Sequence, residues 1–310
     1  MGLVNEPIQI NFSTHKAVSY KDMYEIARSI FDDFEREVTS MKFKGFVDTP
    51  DINFIDDIYK FINTKKNEAP AFDCEKGILF EGHSIEWLEN DGVAEYRLAM
   101  AFIIDPTKEA STSIFVSSEV FEKSPEGRMK QLAACGRHIL NAVPHSSGFV
   151  IPDVPTRFIS RYPEAEMLGQ DEFPNITQDA YDRFSKELLW FDRLARPTIR
   201  MIEQGLFRNV YPYNFVCEAQ LSTLKMLFEY DNYPKLSPNE EDRLNRRIKS
   251  LRREHRPKLP GQLIDLGWHA ALWYVPEHER EMAFNVLSAA NSTLYRFYID
   301  HNDLFPKQYS

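Results

Sequence analysis

Three consecutive strand-like runs constrain the fold of this chain more than any other feature. GILFEGHSIEWL (77–88), VAEYRLAMAFIID (93–105) and STSIFVSS (111–118) are rich in β-branched and aromatic residues. Only short connections with turn residues separate them, and connections this short join antiparallel strands because a parallel crossover needs a dozen or more residues. The sequence therefore predicts an antiparallel meander, with 96–104 and 111–117 at the centre of the sheet.

Helices and further strands are predicted on both sides of this meander. Apolar residues recur at helical spacing in seven segments, namely 19–38, 51–63, 124–143, 177–193, 213–229, 239–255 and 279–299. The remaining strand predictions are 8–13, 147–153, 262–266 and 270–275. We expect helices 124–143 and 279–299 to pack on the sheet, since both carry a continuous apolar face.

The order of these elements defines the fold class. Strands and helices are mixed without the regular βαβ alternation of a doubly wound sheet, which is typical of an α+β fold. We predict a mainly antiparallel sheet flanked by helices, in two intimately packed halves. The boundary is placed in a polar loop, so that residues 1–175 form an N-terminal α+β half and residues 176–310 a helix-rich C-terminal half.

Charge and composition exclude several classes of function. The 310-residue chain has 47 acidic and 37 basic residues, a net charge of −10, which argues against a general binder of nucleic acid or membrane surfaces. A basic protein partner suits this charge. No apolar run has the length of a transmembrane helix, and three scattered cysteines fit reduced thiols, so we expect a cytoplasmic protein.

Motifs for catalysis or metal binding are not found in the sequence. The 12 glycines form neither a P-loop nor a GxGxxG motif, and GHSIEW lacks the closing glycine of a nucleophile elbow. His278 and Glu279 would need a second histidine at position 282, which is Met282, to form a zincin motif. We therefore predict no catalytic residue, no cofactor, no metal and no enzymatic activity.

A basic stretch, NEEDRLNRRIKSLRREHRPK (239–258), allows a different interpretation. Leu244, Ile248 and Leu251 share one face, acids occupy the first turn and arginines the last, so the stretch predicts an amphipathic surface helix that matches the helix dipole. The alternative is a nucleic-acid-binding regulator. Its candidate contacts are Arg246, Arg247, Arg252 and Arg253.

A second alternative is an uncharacterised hydrolase. Its candidate residues are His83, His145 and Asp153, which lie near predicted turns. No spacing rule links these three positions, so this alternative depends on the fold to bring them together.

Several segments between about residues 80 and 300 follow a distinctive order. The strands of 94–122 are followed by a helix, then by PHSSGFVIPDVPTRFISRYPEAEML (144–168), GLFRNVYPYNFVCEAQLSTL (205–224) and LIDLGWHAALWYVPEHEREMAFNVL (263–287). In this order they resemble the TsiV-like type VI secretion immunity family. The matching positions are Gly148, Arg161, Tyr162, Pro163, Asn214 and Pro276.

The resemblance implies an immunity protein that binds a cognate toxic effector and blocks its active site. Several members of the family are paired with nuclease effectors, so the implied partner is a nuclease with a basic cleft. An acidic inhibitor suits such a partner, because complementary charge speeds association and occupies the phosphate-binding cleft.

Two acidic segments are candidates for the contact surface. The first is the loop EAEMLGQDEF (164–173), whose candidate residues are Glu164, Glu166, Asp171 and Glu172. The second is DDFERE (32–37), where Asp32 and Asp33 lie at the end of a predicted helix. We expect the loop 164–173 to contact the toxin, with 32–37 as the alternative surface.

Overall fold

The structure of the protein is a computed structural model. It describes residues 8–14, 18–44, 51–65, 68, 76–88, 92–105, 111–118, 121–122, 124–143, 146–151, 202–207, 210–250 and 256–293. The statements that follow concern these residues.

One antiparallel sheet contains all nine described strands. These are β1 (Ile8–Thr14), β2 (Ser40–Lys44), β3 (Lys76–Leu88), β4 (Gly92–Asp105), β5 (Ser111–Ser118), β6 (Ser147–Ile151), β7 (Tyr213–Val216), β8 (Gln262–Gly267) and β9 (Ala270–Tyr274). Their order is β2-β3-β4-β5-β1-β6-β7-β9-β8, and every neighbouring pair is antiparallel. The predicted meander is confirmed as β3-β4-β5, and the α+β fold class is confirmed.

Six described helices cover the two faces of this sheet. They are α1 (Tyr20–Asp33), α2 (Ile55–Lys65), α3 (Pro125–Ala142), α4 (Glu218–Leu227), α5 (Pro238–Ser250) and α6 (Glu277–Ala289). Ser19 and Ser124 accept hydrogen bonds from backbone amides in the first turns of α1 and α3 and so begin these helices. The expected packing of α3 and α6 is confirmed, because both contribute buried residues to the cores described next.

The two faces of the C-terminal strands contribute side chains to two different hydrophobic cores. Phe215 of β7 and Leu272 of β9 belong to the core under α1–α3, whereas Val216 and Trp273 belong to the core under α4–α6. Successive side chains of a strand point to opposite faces of a sheet, so the two sets of helices cover opposite faces. The Trp273 side chain is fully buried, and its indole nitrogen donates to the Pro260 carbonyl at 2.9 Å.

Several of the sequence predictions are corrected by the structure. Two helices end earlier than predicted, α1 at Asp33 and not at residue 38, and α6 at Ala289 and not at residue 299. The segment 213–229, predicted as one helix, begins with strand β7, and helix α4 starts only at Glu218. Tertiary pairing overrides the helical pattern here, since β7 is hydrogen-bonded between β6 and β9. Strand β2, which was not predicted, alternates buried Met41 and Phe43 with more exposed Lys42 at the edge of the sheet.

The pairing of β6 with β7 joins strands from both predicted halves in a single sheet. Gly148 lies opposite Phe215 in the register of these strands. The Phe215 ring packs 4.6 Å from the Phe12 ring, between centroids, and lies over Gly136 of α3. The predicted boundary between residues 175 and 176 falls outside the described residues.

We expect Gly136→Ala to destabilise the protein, although helix propensity alone favours alanine by about 1 kcal/mol. A Cβ atom at this position would lie 2.5 Å from Cε1 and 2.8 Å from Cδ1 of Phe215. Overpacking of this kind costs about 1–3 kcal/mol of the free energy of unfolding, which urea denaturation measures. Adding Phe215→Leu should make the alanine substitution much less costly, and equal costs in both backgrounds would contradict the proposed close packing.

Candidate functional site

The structure describes one of the two acidic segments predicted to contact a partner. Asp32 and Asp33 lie in the last turn of α1, and both side chains are exposed. The loop residues Glu164, Glu166, Asp171 and Glu172 fall outside the described residues. The candidate contact surface in the described part of the chain is therefore the C-terminal end of α1.

Helix α1 ends in a Schellman motif with a glutamate at the position that favours glycine. The amide of Arg36 donates to the Phe31 carbonyl at 2.9 Å, and the amide of Glu35 donates to the Asp32 carbonyl at 3.0 Å. This places Glu35 in the left-handed conformation, with φ 55°. Helix α6 ends with the same two bonds, but there Asn291 occupies the left-handed position with φ 54°. Asparagine tolerates this conformation better than glutamate does.

The charges at this helix end oppose the helix dipole. The carboxyl end of a helix carries partial negative charge, so each nearby carboxylate costs about 0.3–1 kcal/mol and a basic residue is preferred. Helix α1 has no basic residue in its last turn. Asp32, Asp33, Glu35 and Glu37 are all exposed there, and we refer to these four residues as the acidic corner.

One member of the acidic corner has a histidine partner among the described residues. The Oδ2 atom of Asp33 lies 2.9 Å from Nε2 of His138 on α3, and both side chains remain about one-third exposed. Within the described ranges, Asp32, Glu35 and Glu37 form no side-chain ion pair. These three carboxylates are therefore available to cations of another molecule.

The backbone of the acidic corner is held firmly against the sheet. Both the amide and the hydroxyl of Thr39 donate to the Glu81 carbonyl of β3, at 2.8 and 3.1 Å. A Cβ atom at Gly82 would lie 2.5 Å from the Glu37 carbonyl oxygen, so this segment approaches β3 as closely as a glycine permits. The carboxylates are thus presented from a fixed backbone, which lowers the entropy cost of binding.

Helix α2 runs antiparallel to α1 and extends the same surface. Ring contacts join Tyr20 to Phe61 and Tyr24 to Tyr59, so moving forward along α1 corresponds to moving backward along α2. The start of α2 therefore lies at the end of the helix pair that carries the acidic corner. Burial and a hydrogen bond with Tyr59 raise the pKa of the Tyr24 hydroxyl, and the charge of Asp32 adds to the increase.

The basic stretch forms helix α5, largely as predicted. Leu244 is buried in the core under α4–α6 and Ile248 packs against it, which confirms the apolar face at these two positions. Arg246 is exposed and donates to the carbonyl of Asp242 at 3.3 Å, and Arg247 is also exposed. The other residues of this interpretation, Leu251, Arg252 and Arg253, fall outside the described residues.

One of the three hydrolase candidates lies in the described part of the chain. His83 belongs to β3, in register with Arg97 of β4, whereas His145 and Asp153 fall outside the described residues. In the ranges that the structure covers, no three or more His, Cys, Asp or Glu residues form a group able to hold a metal ion. None of the described helices is long and apolar enough to cross a membrane.

The hairpin between β8 and β9 presents an exposed tryptophan on a strained turn. Trp268 and His269 form its two-residue connection with φ of 53° and 58°, the signs that a type I′ turn requires. Asn-Gly is favoured at such positions, because larger side chains disfavour positive φ. The Trp268 side chain is 68% exposed, and Nδ1 of His269 lies 2.9 Å from the Lys235 carbonyl oxygen. Sequence reasoning missed this feature and the left-handed conformation of Glu35, since both depend on where an element ends.

Comparisons with known proteins add little to this geometry. No protein-family model matches the chain, and no curated protein matches it. A chain in the crystal structure of the toxic C-terminal tip of CdiA from Pseudomonas aeruginosa, in complex with immune protein, is 10% identical with a TM-score of 0.22. The match covers 46% of this chain and 85% of that chain. A likeness at this TM-score carries no argument about fold or function.

Two buried thiols should be inert in the folded protein. Burial raises the pKa of the Cys217 thiol to about 11 and raises that of Cys135 further, so both remain protonated at pH 8. In a Cys74→Ser variant, we expect a disulfide reagent to modify no thiol in buffer and two thiols in denaturant. Rapid modification of either thiol in buffer would show that one of them is a reactive nucleophile.

Glu35→Gly should stabilise the protein, since glycine adopts positive φ without the steric cost of a Cβ atom. We expect the free energy of unfolding to rise by about 0.5–1 kcal/mol in urea denaturation. Asn291→Gly is the matched control at the end of α6 and should give a smaller gain. Equal gains at the two positions would show that Glu35 lowers the stability no more than Asn291 does.

Proposed function

We propose that this chain is a cytoplasmic immunity protein of the type VI secretion kind. It binds a cognate toxin effector, a nuclease, and blocks the active site of that toxin by occupying its basic cleft. The protein acts by binding and not by catalysis. The order of motifs that resembles the TsiV-like family supports the class of function, and the net charge of −10 supports a basic partner.

The observation that carries the proposal is the acidic corner. Asp32, Glu35 and Glu37 are exposed carboxylates on a fixed backbone, at a helix end where the dipole disfavours negative charge. Glu35 also occupies a left-handed position that favours glycine. Residues that oppose local stability are expected where a protein binds something else, since binding then offsets their cost.

The arginines of α5 support a nucleic-acid regulator less well. Glu240 and Glu241 lie in the first turn of α5, and basic residues lie in its last turn, so the charges stabilise the helix that carries them. Glu240 lies 3.6 Å from Arg243, and Lys225 of α4 lies 3.1 Å from Glu241. This charge pattern therefore has a structural explanation within the chain, whereas in the acidic corner only Asp33 has an ion-pair partner among the described residues.

Charge reversal at the acidic corner tests the proposal. The partner is the purified product of the open reading frame adjacent to the gene for this chain. We expect the triple variant Asp32→Lys, Glu35→Lys, Glu37→Lys to associate with this toxin about 10–100-fold more slowly at low salt, because steering is lost. Surface plasmon resonance measures the rate, and survival of toxin-expressing cells measures protection.

The matched control changes the net charge by the same amount as the triple variant, but at residues outside the acidic corner. Glu203→Lys, Asp231→Lys and Glu281→Lys replace three other exposed acids. A separate variant replaces Glu164, Glu166, Asp171 and Glu172 of the second acidic segment by Ser. If the control and the corner variant lose binding equally, only net charge matters and the corner is not the contact; if the wild-type protein does not bind, the proposed function is wrong.

A further inference from the structure

Phe54 is the most exposed large hydrophobic residue in the described part of the chain. Its side chain is 72% exposed, compared with 68% for Trp268 and 40% for Tyr59 and Met282. Scattered exposed apolar residues are common in proteins, so exposure alone does not indicate a role. The position and the support of Phe54 are what distinguish it.

Phe54 occupies the N-cap position of α2, but its side chain cannot cap the helix. Its carbonyl accepts the amides of Asp57 and Ile58, each at 3.1 Å, which makes it the residue before the first helical turn. This position favours Ser, Thr, Asp or Asn, because a side-chain oxygen there satisfies a free amide. Phenylalanine cannot do so, and this one does not bury its ring either. The residue therefore contributes little to the stability of the fold.

The segment that carries Phe54 is nevertheless well fixed. Ile52 exchanges two backbone hydrogen bonds with Met41 of β2, at 2.8 and 2.9 Å. The carboxylate of Asp51 accepts the amide of Phe43 at 3.0 Å. Three hydrogen bonds thus join residues 51–52 to the edge strand, and α2 continues directly from Phe54. An aromatic side chain on a rigid backbone has the properties of a binding anchor, since little entropy is lost when it is buried by a partner.

Exposed carboxylates lie at the same end of the α1–α2 pair as Phe54. Asp56 and Asp57 are exposed in the first turn of α2, and the acidic corner lies at the same end of the α1–α2 pair. A partner that buries Phe54 must therefore bring cationic groups to the rim of its pocket. The acidic surface therefore attracts a partner with basic groups at this rim and repels a partner with acidic groups there.

We propose that Phe54 is the hydrophobic anchor of the toxin-binding surface and inserts into an apolar pocket rimmed by Lys or Arg on a basic protein. This inference rests on the proposed function and adds to it the residue that contributes most to affinity. The acidic corner mainly steers association, while Phe54 holds the complex together. Loss of the anchor should therefore raise the dissociation rate and leave the association rate nearly unchanged.

The test compares two exposed aromatic residues at opposite edges of the sheet. Phe54→Ser supplies a capping oxygen to α2, and Trp268→Asn supplies a residue that suits the type I′ turn. Both variants should therefore be at least as stable as the wild type, and a loss of binding would not be caused by unfolding. Phe54 lies next to β2, and Trp268 directly follows β8 in the chain. Strands β2 and β8 are the two edge strands of the sheet.

Binding to the purified product of the adjacent open reading frame gives the result. We expect Phe54→Ser to dissociate about 30-fold faster, the size of an anchor effect, and Trp268→Asn to behave as the wild type. Unchanged dissociation of Phe54→Ser would overturn the inference and leave the proposed function intact if the acidic-corner variant still associates slowly. Loss of binding by Trp268→Asn alone would place the anchor on the β8–β9 hairpin instead. A wild-type protein that does not bind at all overturns both proposals.

Discussion

The contact between Phe215 and Gly136 is the one on which the arrangement of the C-terminal strands depends. Phe215 belongs to β7, which lies between β6 and β9 and so connects β9 and β8 to the rest of the sheet. Its ring reaches the core under α1–α3 only because α3 has no Cβ atom at position 136. The opposite face of β7 carries Val216 into the other core, so this short strand links both layers of helices to one sheet.

Unfavourable local choices are concentrated at one end of the α1–α2 pair. Glu35 adopts positive φ, acids crowd the negative end of the α1 dipole, and Phe54 replaces a capping residue. The β8–β9 hairpin, with Trp268 and His269 at positive φ, is a second such place, whereas the charges of α5 match its dipole and Asn291 ends α6. Natural sequences tend to depart from local rules at functional sites, which is why this end of the molecule is the best candidate for a contact surface.

The sequence predicts the layout of the sheet better than it predicts the site. Strand β5 has the predicted bounds 111–118, because alternation and flanking turn residues are local signals. The strand 213–216 was missed because only its neighbours β6 and β9 show that it is extended. Asp32 and Asp33 were identified from charge alone. Glu35 and Phe54 could not be ranked from the sequence, because their cost depends on where α1 ends and where α2 begins.

The place of β7 in the sheet has a consequence during protein synthesis. Strand β6 is made first and can pair with β1, but its other edge awaits a strand that follows after about 60 residues of chain. At about 5–20 residues per second, the ribosome needs roughly 3–12 s to supply that strand. An open row of backbone donors and acceptors can capture another chain during this interval. The nascent protein is therefore most prone to mispairing while its third quarter is being translated, when chaperone binding would protect it most.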